Sequence, residues 1–172
     1  MLNLLLLRHA KSGWDDPDLP DFERPLSKRG TKAAGIMGRY IAEKGLKPEQ
    51  VLCSDSVRTR ATFALVAAEF DGEPLNASFH SKLYLAAPGV LLDHVRMADK
   101  DTSTLMIIAH NPGLHALSLA LIGGGDRRGL REMAMKFPTA ALAVITFKLS
   151  SWAKVRLALG SLKAFKTPRD LD

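Results

Sequence analysis

Cysteine occurs once in the 172 residues, at Cys53, so no internal disulfide framework and no multi-cysteine zinc site can be built from this chain. Aromatic residues are only 6% of the sequence, and no nucleic-acid recognition motif accompanies them. The net charge of +6 therefore reads as a general attraction to anions, with no nucleic-acid partner expected. No apolar run approaches the roughly 18 residues of a membrane span, and the opening Met1-Leu2-Asn3 has no basic stretch of the kind that starts a signal peptide. A cytoplasmic setting without a membrane partner is expected. Metal-binding patterns are missing too. His80, His94 and His115 lack ligand spacing, and Asp15, Asp16, Asp18 and Asp21 lack the glycine turn and closing glutamate of a calcium loop. Neither a metal nor a cofactor is expected.

Hydrophobic residues make up 47% of the chain. At this length folding buries roughly 70% of the unfolded surface, enough for a self-sufficient core. One domain over residues 1–172 is expected, with a frayed polar tail after about Lys163. Apolar runs of strand length alternate with stretches of helical period, the pattern of an α/β domain: three layers, with helices on both faces of a mainly parallel sheet. Strands are expected over 2–7, 51–53, 76–79 and 104–109, with a terminal pair over 142–149 and 154–159. Helices are expected from a Ser27 cap to Lys44, over 57–70 and 89–97, and from an Asn111 cap with Pro112 at the first helical position toward Ile122. Gly123, Gly124 and Gly125 read as the turn that ends the last of these. The long irregular stretch between Lys11 and Leu26 directly follows the first strand, and connections of that length are usually functional.

Ligands of open α/β sheets bind at the carboxyl ends of strands. Three such ends carry chemistry: Arg8-His9 after the first strand, Ser54 with Arg58 and Arg60 beyond it after the second, and His110-Asn111 after the fourth. Arginine forks match phosphate oxygens bidentately and keep their charge at any working pH. Histidine can act as nucleophile, acid or simple donor. Together these residues describe a phosphate pocket.

Arg8-His9, the run Ser54-Asp55-Ser56-Val57-Arg58-Thr59-Arg60-Ala61-Thr62, and His110-Asn111 resemble the histidine phosphatase superfamily, whose founding fold is that of cofactor-dependent phosphoglycerate mutase. The short length and the block Asp21-Phe22-Glu23-Arg24-Pro25-Leu26-Ser27 more closely resemble the small SixA-type phosphohistidine phosphatases. The resemblance implies that His9 is the nucleophile that takes the phosphoryl group. Arg8, Arg58 and His110 would hold its oxygens, with Asn111 and Ser54 as further substrate contacts. It also implies a phosphohistidine-bearing protein as partner.

Two positions depart from the family pattern. Ala10 replaces the usual glycine, which is tolerable if the backbone there needs no positive φ. The segment Ser81-Lys82-Leu83-Tyr84-Leu85-Ala86-Ala87 lacks the glutamate that many members use to protonate a leaving alkoxide. Asp21 is the candidate replacement; its other reading is a carboxylate paired with Arg24. A missing glutamate favours phosphoramidate hydrolysis, since imidazole leaves readily once protonated. The alternatives are a small-molecule phosphomonoesterase of the same superfamily and a non-catalytic phosphoprotein-binding relative. The basic cluster Arg127, Arg128 and Arg131 reads as a solvated face.

Overall fold

The computed structural model describes residues 1–72 and 74–172. The leucines of strand β1 (Leu2–Arg8) divide between two cores. Leu4 and Leu6 pack on one face of the sheet, Leu5 and Leu7 on the other, all fully buried. A strand that is apolar at successive positions needs both faces covered, and each such leucine contributes about 1.5–3 kcal/mol of burial.

Six more strands are described: β2 (Gln50–Ser54), β3 (Ala77–His80), β4 (Thr104–Ala109), β5 (Ile122–Gly125), β6 (Leu142–Phe147) and β7 (Gly160–Lys166). They form one sheet with β1 in the order β3-β2-β4-β1-β6-β7-β5. The half containing β3, β2, β4 and β1 is parallel throughout, whereas β6 pairs antiparallel with both β1 and β7. Helices α1 (Lys28–Glu43) and α2 (Val57–Ala67) cover one face through Met37, Ile41 and Val66. The other face is covered by α3 (Pro88–Arg96), α4 (Gly113–Leu121) and α5 (Arg127–Met135), through Leu91, Val95, Leu114, Leu117 and Met133. The three-layer expectation holds, and the Ser27 hydroxyl caps α1 by accepting from the Gly30 N–H at 3.0 Å.

Five local expectations are corrected. Gly123, Gly124 and Gly125 do not form a turn but belong to edge strand β5, paired with β7. A Cβ on Gly123 would lie 2.1 Å from the Ala158 carbonyl oxygen, so the missing side chain permits the close approach of two backbones. The strand expected at 154–159 lies later, at β7. Trp152 begins a 3-10 turn, Trp152–Lys154, and its indole N–H donates to the Thr102 carbonyl at 2.7 Å, so the preceding segment crosses the sheet end before pairing resumes. The tail after Lys163 is not frayed: β7 continues to Lys166, Thr167 and Asp170 form a capping box around the turn Pro168–Asp170, and Lys32 pairs with Asp172 at 2.9 Å. Asn111 does not cap α4, which starts two residues later with Pro112 at the cap position instead of the first helical one; the Asn111 Nδ2 donates to the Phe137 carbonyl at 2.9 Å and its Oδ1 has no partner among the described residues. The second helix also ends earlier than expected, at Ala67.

Candidate active site

The register of the parallel strands brings the two histidines side by side. Arg8 of β1 lies opposite Ala109 of β4, and the ladder continues as the His9 N–H donates to the Ala109 carbonyl at 3.1 Å. The residue just after β4 is His110, and the rings of His9 and His110 lie 5.1 Å apart between centroids. β2 flanks β4 and ends at Ser54, whose Oγ is 2.7 Å from His110 Nε2. Arg58, in the first turn of α2, extends back over these strand ends, with Nη2 3.4 Å from His110 Nδ1.

Each ring has an assignable tautomer. His9 Nδ1 is 2.7 Å from the Ala10 carbonyl, which can only accept, so Nδ1 carries the proton and Nε2 keeps its lone pair. Burial lowers the His9 pKa to about 4, and the charges of Arg58 and Arg8 act in the same direction. His9 is thus neutral at ordinary pH. His110 is lowered to about 3, first by burial and then by His9. Its Nδ1 accepts from Arg58, leaving Nε2–H to face Ser54.

Backbone hydrogen bonds fix the segment that carries the nucleophile candidate. The Ala140 N–H reaches the carbonyls of Arg8 and His9 at 3.1 and 3.0 Å, and the Ala10 N–H donates to Thr62 Oγ1 at 3.0 Å. Ala10 is fully buried and does not have a positive φ, so alanine fits where the related pattern has glycine. Thr59 binds the carbonyls of Ser54 and Ser56 through its hydroxyl. Several polar residues of the Ser54–Thr62 run therefore hold backbone in place and leave Arg58 to face the histidines.

Asp21 comes from the long loop, whose ends are closed by the Ser12–Leu26 bridge and by the Gly13 N–H donating to the Pro25 carbonyl at 3.0 Å. Its Oδ1 pairs with Arg24 at 3.1 Å, and its Oδ2 pairs with Arg58 Nη2 at 2.9 Å and accepts from the Tyr84 hydroxyl. Arg58 Nη1 donates to the Asp21 carbonyl at 2.5 Å. The Tyr84 hydrogen bond foremost, and the guanidiniums after it, hold the Asp21 carboxyl at about 2. It has no proton to donate near neutral pH in this arrangement. The pairing with Arg24 is present, and in this arrangement the same carboxylate also fixes Arg58.

Arg8 has different surroundings. Its Nη1 donates to the Phe137 carbonyl at 2.9 Å, and its buried Nε has no partner among the described residues. Ser54 is fully buried against His110 and so orients that ring, and the Nδ2 of Asn111 is held by the Phe137 carbonyl. The Ser54 hydroxyl is thus turned to His110, while the Asn111 Oδ1 has no partner among the described residues. Tyr84, whose ring lies 5.3 Å from that of His110, was not among the sequence candidates. Only its place in the segment searched for an acid could have drawn attention to it. Cys53 is buried and its thiol is pushed up to about 12, which leaves it inert. Arg128 pairs with Glu132 at 2.7 Å on an exposed face, and no group of three metal-ligating side chains occurs among the described residues.

A neutral imidazole with a fixed lone pair beside two guanidiniums can attack an electrophilic phosphorus and stabilise the charge that develops on its oxygens. The chain is similar to known proteins. The histidine phosphatase superfamily (branch 1) pattern matches residues 4–83, which include Arg8, His9, Asp21 and Arg58. An uncharacterised protein of Mycobacterium tuberculosis is 33% identical over 165 residues, 95% of this chain and 100% of its own length. Among solved structures, one from Agrobacterium tumefaciens named for the phosphohistidine phosphatase SixA superposes with a TM-score of 0.81 at 27% identity, covering 97% of this chain and 98% of its own. A similarly named structure from Nakamurella multipartitia gives 0.80 at 25% identity, covering 97% and 96%.

Proposed function

The chain belongs to branch 1 of the histidine phosphatase superfamily and has its phosphoglycerate mutase-like fold, and from that premise we propose that it is a SixA-type phosphohistidine phosphatase working through a covalent intermediate on His9. The observation that carries this reading is the fixed tautomer of His9, with Nδ1–H on the Ala10 carbonyl and a neutral Nε2 beside Arg8 and Arg58.

In the first step the Nε2 lone pair forms a bond to phosphorus while the bond from phosphorus to the substrate's imidazole nitrogen breaks. The imidazole departs as the neutral ring when its other nitrogen already carries a proton, and otherwise takes that proton from solvent water. In the second step water attacks phospho-His9, inorganic phosphate leaves, and the neutral ring is regenerated with net transfer of the phosphoryl group to water. Arg8 and Arg58 stabilise the three equatorial oxygens in both steps. A dianion beside His110 favours the protonated ring, which turns it into a further donor. The ionised Asp21 supports a nitrogen leaving group over an alkoxide, because imidazole departs without a strong dedicated acid. The proposal includes a phosphorylated protein as partner and a reducing, cytoplasmic setting, which the single free Cys53 supports.

The direct test is brief exposure to a radiolabelled phosphohistidine peptide followed by quenching. Label should be found on His9 in an acid-labile, alkali-stable bond. Label on Ser54 or Cys53, or faster turnover of alkyl phosphates than of phosphohistidine, overturns the reading, the second outcome in favour of a small-molecule phosphomonoesterase. Stoichiometric binding without turnover of any substrate would identify a phosphoprotein-binding relative.

A further inference from the structure

Next to the phosphoryl site lies a cleft of about 460 Å³ that shares Arg8 with it. Its other cations are Lys11, Arg29, Lys136 and Arg169. They come from four separate places: the chain just after β1, the first turn of α1, the connection between α5 and β6, and the C-terminal 3-10 turn. No acidic residue lines the cleft, and none of the five cations makes an ion pair among the described residues. Convergence of unpaired like charges is unfavourable in isolation. Arg29 adds to the imbalance, since the first turn of α1 contains no acidic residue and cations there oppose the helix dipole. Arg24, Arg39, Arg58, Arg60, Arg96 and Arg128 all have acidic partners, whereas Arg127, Arg131 and Arg156, outside the cleft, make no ion pair among the described residues. What sets the cleft apart is the convergence of its unpaired cations in one concavity, contiguous with a residue that faces the phosphoryl group.

We propose that this cleft is a second anion subsite, which holds an acidic group of the same substrate whose phosphoryl group reaches His9. The preferred substrate then carries a further carboxylate or phosphate close to the transferred phosphoryl. Arg8 links the two sites, because its Nη1 is fixed on the Phe137 carbonyl and the residue itself lines the cleft. The volume falls within the range of small-ligand pockets, about 300–1,000 Å³. An acidic side chain next to a phosphohistidine and the second phosphate of a small bisphosphate offer the same chemistry, and the test separates them.

This inference rests on the phosphatase reading, so its experiment has two readouts. In the first, kcat/KM is compared for phosphohistidine peptides with acidic and with neutral flanks, for a sugar bisphosphate against its monophosphate, and for phosphoramidate, which has no second anion. The wild type should prefer the doubly anionic member of a pair by about tenfold at low salt, and the preference should shrink as salt screens it. The double variant Lys136→Gln with Arg169→Gln should erase the preference, chiefly through KM, while phosphoramidate turnover stays unchanged. A preference confined to peptides assigns the subsite to a phosphoprotein, and one confined to the bisphosphate assigns it to small molecules. Equal rates within both pairs, or an equal loss on phosphoramidate, overturns the subsite. The second readout is calorimetric binding of the acidic peptide to His9→Ala, with and without the double substitution. If no compound is turned over but this binding still depends on Lys136 and Arg169, the catalytic reading fails and the subsite stands.

Discussion

Arg8 and Arg58 both add positive charge at His9, yet the molecule treats them differently. Arg58 is 4% exposed and held by both the carboxylate and the carbonyl of Asp21, which Tyr84 and Arg24 hold in turn. Arg8 has one backbone carbonyl as protein partner and opens onto a cleft of further cations. A buried guanidinium that lacks a charge partner is expensive, and Asp21 offsets that cost while fixing the angle at which the fork meets a phosphoryl group. The Arg8 side is left with an excess of positive charge. The difference separates two tasks: Arg58 is preorganised from within, and Arg8 is available to anions arriving from outside.

The largest expected effect comes from removing the group that both arginines serve. His9→Ala should lower phosphohistidine turnover by about 10⁴-fold or more with an unchanged fold, because it deletes the bond-forming atom. Turnover assays with circular dichroism would check this, and a modest loss would leave the two arginines without a shared centre. Arg8→Ala and Arg58→Ala should each cost on the order of 10²-fold in kcat/KM, as for other transition-state donors. Only the second should raise the titration midpoint of the Asp21 carboxyl, followed by carbon NMR. Equal midpoints in the two variants would break the comparison.

Asp21→Asn sharpens it. With Asp21 as a positioning carboxylate, the variant should lose about tenfold on aryl, alkyl and phosphohistidine substrates alike. A loss that grows with leaving-group pKa, toward the 10²–10⁴ of general acid catalysis, would return the proton to Asp21. Tyr84→Phe should cost only a few-fold, in line with one hydrogen bond to a charged group. It should also move the Asp21 midpoint upward from about 2, since that hydrogen bond is the main reason the carboxyl is held so low.

The smallest effect is on stability in mild acid. His9 and His110 titrate near 4 and 3 in the folded chain, against 6.5 for an ordinary histidine, so the unfolded chain binds more protons over that interval. Stability should therefore decline as pH falls from about 6.5 toward 4 and be flat with respect to these groups above it. Asp21 contributes in the same direction at lower pH, as the medium approaches its midpoint near 2. Urea unfolding midpoints of wild type and His110→Gln across pH 4–7 would check the sign, the variant showing the shallower slope.

Much of this site could be read from single residues because strand ends announce themselves. An apolar run that stops at Arg8-His9, and another that stops at His110, places two histidines at one sheet edge once the strands are parallel neighbours. Asp21 was recognisable as a candidate but its role was not, because that depends on three partners separated from it by 3, 37 and 63 residues. Ser54 and Asn111 were drawn toward substrate by the resemblance, whereas the Ser54 hydroxyl meets His110 and the Asn111 Nδ2 meets the Phe137 carbonyl. The glycine triplet was misread because a close backbone approach leaves the same mark in a sequence as a turn.

The sequence by itself determined the alternation of strands and helices, the two-faced core and the presence of histidines and arginines at strand ends, since periodicity and burial are properties of neighbouring residues. Tertiary structure alone decided which arginine would be paired and which left open. It set the protonation of His9, His110 and Asp21, and it gathered Lys11, Arg29, Lys136 and Arg169 into one cleft. Those outcomes depend on Coulomb and desolvation energies between groups far apart along the chain, and such energies take their values only when the fold has set the distances.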